Sequence, residues 1–145
     1  MCIRDSIIDE YQIYQSRLYG ADCILLIVSA LTDNQLKVFK SIAESLDLDV
    51  LVEIHDQQEL RRIKPLDFSL IGINNRNLST FDVNLETTKN LSIELKDKLV
   101  VSESGIKTSA DINQVLSYDI LNFLVGESFM RAENPGAELK KLFFS

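Results

Sequence analysis

The sequence has no long apolar run, few basic residues and few cysteines, and each shortage removes a class of function. Its longest apolar stretch, Cys23 to Val28, is interrupted by Ser29. That is far short of the roughly 20 residues a membrane helix needs, so no membrane partner is expected. The 15 lysines and arginines are outnumbered by 22 acidic residues, giving a formal charge of -7. Such a chain repels polyphosphate backbones, no basic patch reverses this locally, and nucleic acid is not an expected partner. The two cysteines, Cys2 and Cys23, lack metal-ligand spacing. Reduced thiols in a cytoplasmic protein without a metal site are the expectation. Asp5 near the start and the lack of an apolar run before Tyr11 argue against a secretory signal.

What is present is ample for a core. With 145 residues, 46% of them hydrophobic, the chain is expected to form a single domain over residues 1–145. Short β-branched apolar runs recur at Cys23 to Val28, Val50 to Ile54, Phe68 to Ile73, Leu99 to Val101 and Leu121 to Val125, with Ile7-Ile8 as a candidate remnant. They lack polar alternation, which predicts parallel strands covered by helices on both faces, an α/β fold. Helix starts are marked by Thr32-Asp33-Asn34-Gln35, Asp56-Gln57-Gln58-Glu59, Thr108-Ser109-Ala110-Asp111 and Asn134-Pro135. Two further helices are predicted over Glu10 to Leu18 and about Leu85 to Leu95.

Six βα units fill this length, whereas a closed parallel barrel takes eight units and about 250 residues. In either a barrel or an open doubly wound sheet, reactive residues belong at the carboxyl ends of the strands. Those ends carry Ser29, then Glu53 and His55, then Asn74-Asn75-Arg76-Asn77, Ser102-Glu103-Ser104-Gly105 and Gly126-Glu127-Ser128. Gly105 and Gly126 end the last two runs just before helix starts, a pattern suited to binding phosphate through backbone N–H groups. A dinucleotide binder would instead carry its glycine-rich loop after the first strand, and none is there. The balance therefore favours a barrel.

Five blocks also resemble indole-3-glycerol-phosphate synthase in order and spacing: Asp22 to Ile27, Leu51 to His55, Ile71 to Leu78, Ser102 to Ile106 and Leu124 to Ser128. The resemblance covers roughly Ile7 to Phe143 and corresponds to that family's strands three to eight. It implies a (β/α)8 TIM barrel, here incomplete, with about six of its units. It also implies a carboxy-lyase of tryptophan biosynthesis, which converts 1-(2-carboxyphenylamino)-1-deoxyribulose 5-phosphate to indole-3-glycerol phosphate with loss of carbon dioxide and water, without cofactor or metal. By that resemblance Glu53 is the general base for dehydration, and Asn74 holds the substrate beside Arg76. Glu103 and Ser104 line the substrate pocket, and Gly105, Gly126 and Glu127 supply backbone groups to the phosphate.

The departures shape the expectation. The family has a lysine acid at the end of strand three, where this chain has Arg4, and arginine is a poor proton donor. Residues 1–6 fit the family poorly and are a doubtful start, and the first two βα units have no counterpart. The chain is thus expected to be inactive alone and to self-associate through open sheet edges near Ile7 and at Leu121 to Val125. Two other readings stay open: a phosphate-binding remnant without catalysis, and another sugar-phosphate isomerase barrel. Simpler roles compete at single residues. His55 suits a polar loop position, Arg76 a salt bridge, Gly105 and Gly126 turns of positive φ, and Glu127 a first-turn acid complementing a helix dipole.

Overall fold

A computed structural model describes residues 2–3, 6–78 and 80–144. Met1, Arg4 and Asp5 of the doubtful start lie outside these. The chain divides into two compact units, Met1–Gly72 and Ile73–Ser145.

In the first unit, β1 (Cys2–Ile3), β2 (Cys23–Ile27) and β3 (Asp49–Ile54) lie side by side in chain order. All three are parallel, with Cys2 opposite Cys23 and Ile27 opposite Glu53. The strand sought at Ile7-Ile8 is therefore at Cys2–Ile3 instead. Ile7 is a buried residue leading into the capping box of α1 (Glu10–Leu18), in which Asp9 and Gln12 satisfy each other's backbone. After β2 the chain makes one 3-10 turn over Val28–Ala30 and enters α2 (Asp33–Ser45), capped by Thr32 and Gln35 as the sequence predicts. Leu36, Phe39 and Ala43 are its buried stripe. Arg62, in the last turn of α3 (Gln57–Ile63), fixes that 3-10 turn: its guanidinium donates to the carbonyls of Val28 and Leu31 at 2.9 and 2.5 Å and to Asp33 at 2.7 Å.

The next strand, β4 (Leu70–Asn74), runs across the division, and the second unit continues with α4 (Glu86–Ser92), shorter than predicted. It then forms β5 (Leu99–Glu103), α5 (Ser109–Leu116), β6 (Asn122–Leu124), the short α6 (Glu127–Arg131) and α7 (Pro135–Phe144). β5 and β6 are parallel, Glu103 opposite Leu124. Thr108 and Asp111 form a capping box at the expected helix start, and Asn134 accepts from the Ala137 N–H at 3.0 Å at the start of α7. β6 departs from the expectation of full burial, since Asn122 is exposed and Phe123 and Leu124 only half-buried.

The helix stops explain how a chain with five glycines makes so many tight turns. Among the described residues α1 alone ends on glycine, Gly20 at φ 81°, while Asp47, Asp67 and Asp119 adopt left-handed backbone after α2, after the turn that follows α3 and after α5, at φ 53°, 49° and 62°. Aspartate tolerates this region better than most side chains. Each of these four is followed by a buried apolar residue: Ala21, Leu48, Phe68 and Ile120. Leu48 N–H and Ala21 N–H reach back five residues to the carbonyls of Ala43 and Ser16, the bond that closes a helix end and turns the chain toward the next strand.

Candidate active site

Glu53 is the penultimate residue of β3 and only 4% exposed, which is costly for a carboxylate without a partner. His55 lies two residues on, so extended backbone sends both side chains to the same side. The imidazole Nε2 is 3.2 Å from Glu53 Oε1, and its Nδ1 is 3.1 Å from Glu59 Oε2. Glu59 Oε2 also accepts the His55 backbone N–H at 2.7 Å, while Asp56 accepts the Glu59 N–H at 2.9 Å. The predicted cap at Asp56 is thus present, with the reciprocal bond from Glu59 reaching one residue further back than a capping box would. Burial alone would lower the His55 pKa, but the negative carboxylates of Glu53 and Glu59 on either side of the ring outweigh it and raise the pKa to about 9. With a pKa raised this far, the His55 ring is held in its charged form at neutral pH.

The remaining sequence-predicted residues lie in the second unit. At the end of β4, Asn74 Oδ1 accepts the Arg76 N–H at 3.0 Å, and the Arg76 guanidinium donates to Glu127 at 2.8 Å. Glu127 also meets Arg131 at 3.1 Å. The structure thus joins Asn74, Arg76 and Glu127 by direct contacts. At the end of β5, Glu103 is 1% exposed and leads into Ser104 at φ 63° and Gly105 at φ 87°. A Cβ at Gly105 would lie 2.6 Å from Val83 Cγ1 and 3.1 Å from Leu85 Cδ2, so both backbone angle and space require glycine there. Gly126 differs. Its φ is -111° and a Cβ would meet nothing within 4 Å, so the competing reading of a turn of positive φ does not hold at that position.

One residue of this corner escaped the sequence reading. Asn75, next to the singled-out Asn74, is 2% exposed and is the hub of a buried network. Its side-chain NH2 donates to Ser102 Oγ at 3.0 Å and to the carbonyls of Glu103 and Ser104 at 3.0 and 3.2 Å. Its Oδ1 accepts from Thr88 N–H at 3.2 Å and Thr88 Oγ1 at 2.8 Å, and the Thr88 and Ser102 hydroxyls are 2.9 Å apart. With Thr88 donating to Asn75, the Ser102 hydroxyl is left to donate to Thr88, and the ring closes with every member satisfied. Backbone bonds complete it: Asn75 N–H donates to the Glu103 carbonyl at 2.8 Å, and Asn84 N–H to the Asn75 carbonyl at 3.0 Å. Asn75 thus pins the β4–α4 loop to the Glu103-Ser104-Gly105 turn. Glu59 is the other missed residue, and its only sequence signal was its place three residues after a capping aspartate.

Parallel strands alternating with helices, and polar residues gathered at strand carboxyl ends, define a chain of the TIM-barrel class, here an incomplete barrel. Solved structures agree on the fold. Orotidine 5'-monophosphate decarboxylase from Sulfolobus solfataricus matches with a TM-score of 0.74 at 13% identity, covering 97% of this chain and 70% of that one. A mandelate oxidase mutant matches at 0.72 and 15% identity over 96% and 55%. A 3-keto-L-gulonate-6-phosphate decarboxylase from Vibrio cholerae O1 biovar El Tor matches at 0.71 and 16% identity over 97% and 69%. The chain thus spans between 55% and 70% of the length of these three proteins. The chain belongs to the indole-3-glycerol phosphate synthase family, whose model matches residues 1–142. That match includes residues 1–6, the expected doubtful start.

Proposed function

We propose that this chain supplies the base, the substrate pocket and the phosphate loops of an indole-3-glycerol phosphate synthase. The reaction closes the indole ring of 1-(2-carboxyphenylamino)-1-deoxyribulose 5-phosphate with loss of carbon dioxide and water. The observation that carries the reading is Glu53, a buried carboxylate at the end of β3, at the family's base position and paired with a cationic imidazole. In this reading Glu53 accepts a proton as water is lost. Glu103 and Ser104 line the pocket with Asn74 and Arg76. The Gly105 turn offers backbone N–H groups to the phosphate, with Gly126 and Glu127 on the same task.

The acid side of the chemistry has no match in this chain, so the reading places catalysis in the chain joined to the family's first two βα units. The chain alone is expected to show no turnover and to self-associate, its half-buried β6 being one edge. Indole-glycerol fluorescence on the chain alone and fused behind those two units of a family enzyme tests this, with size-exclusion chromatography of the chain. Turnover is expected only in the fusion, and Glu53→Gln should lower its kcat about 100 to 10,000-fold. A fusion that folds without turnover, or a Glu53→Gln variant within threefold of it, sinks the reading.

A further inference from the structure

Glu53, His55 and Glu59 form a line of three charged side chains, none more than 12% exposed. The two ends are anchored differently. Glu53 is fixed by the β3 backbone, whose Ile27 to Glu53 register ties it to β2. Glu59 is fixed by the first turn of α3: its own N–H goes to Asp56 and its carboxylate takes the His55 N–H. The imidazole is held between them by one nitrogen on each carboxylate, at 3.2 and 3.1 Å. The Glu59 contact is also a hydrogen bond from Nδ1, whereas the Nε2 contact to Glu53 is an ion pair off the hydrogen-bonding direction. A mere capping role for Glu59 would not require the imidazole to turn its other nitrogen to Glu53.

We propose that His55 is a positioning residue for Glu53: Glu59 orients the imidazole from the start of α3, and the imidazole in turn holds the Glu53 carboxylate in one orientation for proton transfer. This rests on the reading of Glu53 as the base. Glu53 and Glu59 are the charged groups that act on His55 within the first unit, from β3 and α3 respectively, and both favour its charged form. The arrangement confines the carboxylate by charge while leaving it an acceptor, and it makes that confinement depend on pH.

The test begins with the chain itself, by NMR titration of the single histidine in wild type, Glu53→Gln and Glu59→Gln. His55 should titrate near 9 in the wild type, and each variant should lower that midpoint by at least about one pH unit. A wild-type midpoint near the ordinary value of about 6.5, or one unmoved by Glu53→Gln, overturns the clamp. The kinetic arm uses the fusion described above. His55→Gln should lower kcat about ten to a hundredfold with KM within about threefold, and flatten the alkaline limb of the kcat profile. Glu59→Gln, which keeps the imidazole, should show the same split more weakly and serves if His55→Gln does not fold. A kcat within threefold for both variants overturns the proposal. Glu53→Gln separates the two readings. If it is crippled while the His55 and Glu59 variants are not, positioning alone fails, and if it too is unaffected, the base assignment fails while the titration still judges the clamp.

Discussion

The corner after β3 and the corner after β5 both bury a carboxylate at a strand end, and the chain around them is braced by opposite means. At the first, Glu53 at 4% exposure is matched by charge, with an imidazolium beside it and a second carboxylate behind that. At the second, Glu103 at 1% exposure stands on a turn braced by neutral groups, where Asn75, Thr88 and Ser102 bond one another and the backbone. A charged line tolerates small movements, because Coulomb attraction falls slowly with distance, but it responds to pH. A closed neutral network is indifferent to pH over the working range. It fails when one member is lost, since each orphaned buried group costs its full desolvation.

The largest expected effect is at the neutral hub. Asn75→Leu strands the Thr88 N–H and the partners on β5, and should destabilise the protein by about 3 kcal/mol or more in urea unfolding. A loss below about 1 kcal/mol would mean that neighbours or water replace the asparagine, and the contrast between the corners would weaken. Gly105→Ala comes next. Its side chain would have to displace Val83 while holding φ at 87°, for a cost of about 2 kcal/mol. A variant as stable as wild type would show that the β4–α4 loop yields.

The pH dependence then separates the corners. The folded pKa of His55 is raised above its unfolded value of about 6.5 to about 9. Its contribution is therefore complete below the unfolded value and is lost as pH rises through the folded one. Between pH 7 and 10 the wild type should lose on the order of 2 kcal/mol, and His55→Gln should lose much less. Equal alkaline losses in both would place the titrating group elsewhere. The smallest effects concern the helix caps that follow the two strands. Asp56→Ala and Thr108→Ala should each cost about 1 kcal/mol, with the Asp56 variant also lowering the His55 midpoint because Asp56 anchors Glu59. A His55 midpoint unchanged in Asp56→Ala would show that Glu59 needs no such anchor.

Much of this was legible in local pattern. Unbroken β-branched runs marked β2 to β5 to within two residues at most starts, because strands covered on both faces need apolar residues at every position. Thr32, Asp56, Thr108 and Asn134 marked helix starts, because a cap is a bond between residues three apart and needs no tertiary context. The sequence also placed Glu53, His55, Glu103 and Gly105 at strand ends, since chain order and strand length decide where a strand stops.

Only the tertiary structure decided the rest. It moved the first strand to Cys2–Ile3, where pairing with β2 outweighed the greater hydrophobicity of Ile7-Ile8. It relieved Gly126 of the positive φ required of Gly105, because that requirement comes from the path of the backbone and from Val83 beside it, which no local pattern encodes. It singled out Asn75 over Asn74 as the buried hub, since two adjacent asparagines look alike until β5 and α4 supply partners to one of them. It also charged His55, because that depends on two carboxylates meeting one ring: Glu53 through the strand and Glu59 through a helix turn that folds back onto it.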